Sequence, residues 1–193
     1  MIYGFGVNDV PEKTWDIING KRVINPYYDR WKNLIRRCYS EKLHGKRPNY
    51  VNTVVSDEWK YFSIFKEWMV LQNWKGMHLD KDLIGNGKEY SKDTCLFIHP
   101  SVNTFITDRG NYRSSKLPIG VYLENNGKYK SHINEFNTGK TRYLGTFDTP
   151  EEAFNCWFKN KLIEAKKLTG LQGAEHLESF YERNYNDYLT GKK

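Results

Sequence analysis

The chain has 193 residues, of which 38% are hydrophobic and 27% are charged. That length allows one domain or two small ones, and the apolar fraction excludes a disordered chain. Thirty Lys and Arg residues against 23 Asp and Glu residues give a formal charge of +7, which favours a polyanionic partner and nucleic acid above all.

Targeting signals and cysteine usage narrow the class of protein further. No window approaches 18 uninterrupted apolar residues, and residues 1–6 lack the charged start and apolar run of a secretory signal. We therefore expect a cytoplasmic protein with no membrane partner. Cys38, Cys95 and Cys156 lie far apart and form no C-x-x-C pair, so they are interpreted as buried residues rather than disulfides or zinc ligands.

The first half of the chain predicts an extended arm and two helices. Residues 1–25 predict the arm, which closes with a turn at Asn19-Gly20, and a helix follows with Asn25 as N-cap and Pro26 at its first position. Arg36 and Arg37 lie largely off the apolar stripe of this helix, so they can meet solvent or phosphates. The sequence then predicts a loop over 41–55 and a helix with an aromatic stripe over 56–71.

The pattern changes to short strands in the middle of the chain. Residues 78–84 and 90–98 predict two strands separated by the turn signal Gly85-Asn86-Gly87, and a short helix begins near residue 99. The polar residues 107–116 are predicted to be a linker. This linker carries Arg109 and Arg113, which are candidate DNA contacts.

The last third of the chain predicts a small sheet and a long helix. Strands are expected over 119–124, 129–136 and 141–147, and a meander is the simplest pairing. Thr149, Pro150 and Glu152 then form the start signal of an amphipathic helix, with a capping box between Thr149 and Glu152.

This last segment resembles the Apetala-two-type DNA-binding domain, through Gly120-Val121-Tyr122, Gly127 to Ile133 and Tyr143 to Ala153. The resemblance implies a three-stranded sheet that is packed on one helix and binds double-stranded DNA with its free face. A strand ribbon fits the major groove, where Arg pairs with guanine and Lys contacts phosphates. The residues that strand alternation predicts on the free face are Tyr122, Glu124, Lys128, Lys130, His132, Lys140 and Arg142.

Residues Leu79 to Asn103 resemble the ββα-metal hairpin of the HNH endonucleases, in the branch found with Apetala-two-type domains in phages. The resemblance implies that Asp80 and Asn103 hold one Mg²⁺ or Mn²⁺. Lys81 stands at the position of the family's His base, and Thr94 stands at that of its central Asn.

Three alternatives for the general base stay open. His78 or His99 supplies it, Lys81 does so with a depressed pKa, or the hairpin is a silent relic that is kept for DNA binding. Asp82 could join the metal ligands if its strand bulges.

The sequence thus predicts an α+β protein with an HNH-like domain over 1–106, a linker over 107–116, the sheet module over 117–168 and a helical extension over 169–193. The expected function is metal-dependent cleavage of double-stranded DNA by an HNH homing-type endonuclease, with a monomer favoured. A catalytically silent DNA-binding protein is the first alternative, and a module that binds an acidic protein is the second.

Overall fold

The computed structural model describes residues 1–107 and 117–190 of this mixed α and β chain. It divides into two compact units, Met1–Phe97 and Ile98–Lys193. The division falls between Phe97 and Ile98, so the helix that follows the predicted hairpin belongs to the second unit. Apart from Thr107, the predicted linker lies outside the described residues.

Short strands and three helices form the first unit. In chain order its elements are β1 (Trp15–Ile18), β2 (Lys21–Ile24), α1 (Pro26–Tyr39), α2 (Glu41–His44), β3 (Val54–Val55), α3 (Phe62–Val70), β4 (His78–Asp80), β5 (Glu89–Tyr90) and β6 (Leu96–Ile98), whose last residue is the first of the second unit. β1 pairs antiparallel with β2, β3 pairs parallel with β5, and β4 is hydrogen-bonded to β6.

The start of α1 confirms the sequence prediction. The Asn25 side chain accepts from the backbone N–H groups of Tyr27 and Tyr28, and Pro26 occupies the first turn, where no N–H partner is needed. The helix buries Trp31 and Leu34 among its inward residues, and the Trp31 indole donates to the Trp59 carbonyl oxygen at 2.8 Å. An aromatic core therefore joins α1 to the segment before α3.

Two predictions for the first unit were wrong in detail. The helix expected over 56–71 is a 3-10 turn at Glu58–Lys60 followed by α3, because Tyr61 is extended and forms a parallel bridge with Val7 of the N-terminal arm. The loop expected over 41–55 contains α2 and β3.

The strand expected over 78–84 ends at Asp80. The Asp80 carboxylate accepts from the backbone N–H groups of Asp82 and Leu83, which turns the chain. The structure therefore has a three-residue strand where the alternating pattern predicted seven residues.

The described residues of the second unit form one sheet and four α-helices. Its elements are α4 (Pro100–Ile106), β7 (Val121–Leu123), β8 (Tyr129–Asn134), β9 (Thr141–Phe147), α5 (Pro150–Lys166), α6 (Leu177–Arg183) and α7 (Tyr185–Leu189). The sheet order is β7-β8-β9 with antiparallel neighbours, which confirms the predicted meander. Thr149 and Glu152 form the predicted capping box.

α5 packs against one face of this sheet and fixes its position. Val121 and Ile133 on the strands and Phe154 and Trp157 on the helix are all buried. Gly120 has φ +73°, and a Cβ there would lie 2.2 Å from Cδ1 of Trp157, so only glycine allows this close approach. Within the described part of the chain, no helix is both long and apolar enough to cross a membrane.

Candidate functional site

The face of the three-stranded sheet opposite α5 is the first candidate site. Cross-strand partners share a face, and the buried pair Val121 with Ser131 identifies the side that α5 covers, which Gly145 shares as the partner of Ser131 on β9. On the other side Tyr122 lies opposite Lys130, and Lys130 lies opposite Thr146. This second side is called the free face below.

A β-bulge changes which residues of β9 reach the free face. Ser131 pairs with Gly145 and the next residue, His132, pairs with Tyr143, so Leu144 has no partner in the ladder. The extra residue reverses the alternation of β9. Tyr143 therefore joins the free face, and Arg142 turns to the side of α5.

The placement of Arg142 corrects the alternation that was predicted from the sequence. Its guanidinium Nε donates to Glu135 at 2.9 Å, and NH2 lies 3.6 Å from a carboxylate oxygen of Glu164 on α5. Both terminal nitrogens lie 3.4 Å from the side-chain oxygen of Asn160, also on α5. Arg142 thus ties the sheet to its helix.

Three rings cross the free face in a row, one from each strand. The His132 ring centroid lies 5.3 Å from that of Tyr122 and 5.5 Å from that of Tyr143. Tyr143 is 55% exposed, and its hydroxyl lies 2.8 Å from the hydroxyl of Thr146. The row offers aromatic surface together with hydroxyl and imidazole groups that can donate or accept hydrogen bonds.

The cations of this module are balanced by acids. Lys130 Nζ lies 2.7 Å from Glu124, and Lys128 Nζ lies 3.0 Å from Asp148. The hydrogen bond from Lys130 lowers the pKa of Glu124 and raises that of Lys130. Lys140 is exposed in the turn before β9. The free face therefore has little uncompensated positive charge of its own.

The second candidate site is the end of β4. Asp80 is only 6% exposed, and its Oδ1 accepts from the backbone nitrogens of Leu83 at 2.7 Å and Asp82 at 2.9 Å. Burial and then the nearby Asp82 carboxylate raise the pKa of Asp80 to about 6. Asp80 thus stabilises the local turn, and its buried position makes the charged form of its carboxyl group unfavourable.

Lys81 and Asp82 form an ion pair beside this acid. Lys81 is 7% exposed, its Nζ lies 2.9 Å from Asp82 Oδ1, and the ammonium also lies 5.5 Å from the Tyr90 ring centroid. Lys81 is therefore engaged by a carboxylate and a ring. Thr94, which the HNH resemblance equates with a central Asn, accepts from Ser91 N and donates to the Glu89 carbonyl oxygen, so it holds the second limb of the hairpin.

The two candidate histidines have different environments. His78 begins β4 and is exposed. His99 is the N-cap of α4, where its Nδ1 accepts from the backbone N–H of Ser101 at 3.1 Å. Asn103 is partly buried on α4, in the second unit, whereas Asp80 lies in the first.

The described residues contain no group of three or more His, Cys, Asp or Glu side chains that could hold a metal ion. Mg²⁺ commonly binds through one or two carboxylates and completes its shell with water and substrate phosphates. Of the Asp80 carboxylate oxygens, Oδ1 already accepts two backbone N–H groups. A metal at this acid would therefore depend on water and phosphate ligands.

The two arginines predicted on α1 differ in availability. Arg36 is exposed. Arg37 is partly buried, its Nη1 lies 3.5 Å from the Tyr90 hydroxyl, and its guanidinium lies 6.0 Å from the Tyr50 ring centroid. Arg37 therefore packs against tyrosines within the first unit. Arg109 and Arg113 lie outside the described residues.

Tyr143 is the residue of the free face that sequence alternation missed. Gly145 within the predicted strand was the available signal, since a glycine inside a strand often marks a bulge. It has φ +149°, and a Cβ there would lie 3.1 Å from the Phe147 ring.

No protein-family model, no curated protein and no solved structure matches this chain.

Proposed function

We propose that this protein binds double-stranded DNA and that the free face of β7–β9 contacts the bases. The observation that carries the proposal is a three-stranded sheet with one face covered by α5 and the other open, crossed by Tyr122, His132 and Tyr143. A major groove about 12 Å wide accepts a narrow ribbon of this kind. The resemblance to the Apetala-two-type domain and the charge of +7 support the same ligand.

Base contacts would come from polar groups of the free face rather than from an arginine fork, because Arg142 is engaged on the helix side. Tyr143 and Thr146 present hydroxyl groups, and Glu124 can accept from the amino group of cytosine. DNA phosphates would compete with Glu124 for Lys130. That exchange would release Glu124 to read a base.

Tyr143→Ala and Arg142→Ala form a matched pair of variants, because the two residues are neighbours on opposite sides of the sheet. Selection from a random duplex library, followed by fluorescence anisotropy on the selected duplex, measures preference and affinity. We expect Tyr143→Ala to weaken binding to the selected duplex by about 5-fold to 150-fold, which corresponds to the 1–3 kcal/mol of a good base contact. We expect Arg142→Ala to leave the sequence preference unchanged.

Circular dichroism on both variants controls for folding. Equal preference and affinity in wild type and folded Tyr143→Ala would contradict base reading by the free face.

A metal-dependent nuclease is the second candidate function. The observation that favours it is that β4 pairs with β6 and that α4 follows β6 in the chain, which gives two strands and a helix. Asp80 is the last residue of β4. When bound, Mg²⁺ or Mn²⁺ would polarise a phosphate, and Asp80 would be its acidic ligand. Lys81 is the weakest candidate for the base because its ammonium is paired with Asp82, so the base would be His78 or His99.

Nicking of supercoiled DNA tests this second function. The expected result is Mg²⁺- or Mn²⁺-dependent nicking that is abolished by EDTA and by Asp80→Asn, with duplex affinity retained in the variant. Failure to nick across pH 6–9 with intact duplex binding would reject the nuclease and leave a silent DNA-binding protein.

A further inference from the structure

One short segment of the first unit has a strong local excess of positive charge. Residues 30–47 contain seven Lys and Arg residues and a single acid, Glu41. The rest of the chain has 23 Lys and Arg residues against 22 Asp and Glu residues, so it is almost neutral. Within the first unit, this segment has a local excess of six positive charges, which lie on α1 and α2 and the turn after them.

The fold separates the cations of this segment into inward and outward groups. Arg30 donates to the Met77 carbonyl oxygen, and Arg37 packs against Tyr90, so both are used inside the unit. The exposed members are Lys32, Arg36, Lys42, Lys46 and Arg47. These five residues are called the α1–α2 cationic surface below.

Local hydrogen bonds hold this surface together. Ser40 ends α1 and also caps α2, where its side chain accepts from the backbone N–H of Leu43. His44 Nε2 lies 2.9 Å from the Arg37 carbonyl oxygen, which folds α2 back onto the end of α1. Lys32 and Arg36 are four residues apart on α1, so they lie in one row about 6 Å apart along the axis.

The five cations differ from Lys128, Lys130 and Arg142 of the sheet module in forming no ion pair, although Asp29 and Glu41 are near them in the sequence. Among the ion pairs formed by the described residues, none includes a member of the α1–α2 cationic surface, whereas Lys128, Lys130 and Arg142 each pair with an acid. Like charges at i and i+4 disfavour a helix. The negative end of the α1 dipole compensates Arg36 in the last turn but does not reach Lys32.

We propose that the α1–α2 cationic surface binds the phosphate backbone of double-stranded DNA without reading its sequence. Five long, exposed cations that form no ion pair lie within one short segment, and they match a ligand with closely spaced negative charges. The surface takes its ligand class from the proposed function but is a separate contact from the free face of β7–β9. It would supply affinity for DNA of any sequence, whereas the free face would supply the preference for particular bases.

The test compares two triple variants that remove the same charge. Lys42→Gln, Lys46→Gln and Arg47→Gln together neutralise three members of the surface. Lys13→Gln, Lys75→Gln and Lys88→Gln together neutralise three exposed lysines elsewhere in the first unit. The measurement is the slope of log K against log salt concentration for a duplex, by fluorescence anisotropy.

We expect the surface triple variant to reduce the magnitude of this slope by about 3, because each phosphate contact contributes about 0.9. The control triple variant should change it by less than about 1, and both variants should select the same sequence as wild type. Equal slopes in the two triple variants would overturn the proposal. The same result is expected if the surface binds an acidic protein instead of DNA.

Tyr143→Ala separates failure of this inference from failure of the proposed function. Loss of preference in Tyr143→Ala with equal slopes in the two triple variants rejects the α1–α2 surface alone. A reduced slope in the surface triple variant with unchanged preference in Tyr143→Ala rejects the free face and supports the surface. No binding of duplex by the wild-type protein rejects both.

Discussion

Replacing Asp80 with Asn is expected to stabilise the first unit at neutral pH and to remove a pH dependence of its stability. Asp80 is 6% exposed, and its pKa is raised to about 6 by burial and then by the charge of Asp82. Asparagine keeps an oxygen that can accept from the backbone N–H groups of Asp82 and Leu83. The substitution therefore removes the buried charge while it preserves the turn.

The direction and size of the effect follow from the two pKa values of this carboxyl group. The ordinary value is near 4, so between about pH 4 and pH 6 the folded state retains a proton that the unfolded state has released. The favourable contribution is complete below pH 4 and is lost as pH rises through 6. A difference of about 2 pKa units, at about 1.4 kcal/mol each, gives an upper figure of about 3 kcal/mol.

Urea unfolding from pH 4 to pH 8, followed by tryptophan fluorescence, measures this contribution. Five of the six tryptophans lie in residues 1–97, so the signal reports mainly on the first unit. Asp93→Asn, at an exposed acid in the same hairpin, is the control. Stability curves of wild type and Asp80→Asn that run parallel across the whole pH range would refute the reasoning.

Three further predictions concern the second unit and the thiols. Gly120→Ala should lower the free energy of unfolding by about 2–5 kcal/mol, because the positive φ disfavours alanine and the added Cβ clashes with Trp157. The control Gly127→Ala should lower it by only about 1–2 kcal/mol, because φ is positive there too but the added Cβ contacts nothing. Similar losses for the two variants in urea unfolding would contradict this prediction. Arg142→Ala should cost about 1–2 kcal/mol by the same measurement. Ellman's reagent should react rapidly with Cys156 alone, because burial raises the pKa of both other thiols to about 12.

Local signals in the sequence were sufficient for several elements. Asn25 and Pro26 marked the start of α1, and Thr149 with Glu152 marked that of α5, because caps and capping boxes act within four residues. Turn signals likewise separated the strands of the three-stranded sheet. These predictions needed no knowledge of distant contacts.

Elements that depend on distant partners could not be predicted in the same way. β3 has two residues and exists because it pairs with β5, more than 30 positions along the chain. α3 begins late because Val7 of the N-terminal arm bridges to Tyr61. Neither pairing leaves a periodic pattern in the sequence.

The sequence predicted candidate residues for the two sites. It could not predict which of their side chains are buried or on which face of the sheet they lie. Lys81 is one of the three candidate bases that the sequence leaves open, and its side chain is covered and paired with Asp82. Arg142 looked like a DNA contact because strict alternation puts it on the same side as Thr146. One unpaired residue between them reverses that placement.

The unpaired residue Leu144 affects how β9 can be compared with other strands. Its neighbours already pair with consecutive residues of β8, so an uninterrupted strand would match β9 only when a one-residue gap is placed at Leu144. A gapless alignment would equate Arg142 with a position on the opposite face of the sheet. An alignment of this strand must therefore place the gap at Leu144 before substitutions on either side of it are compared.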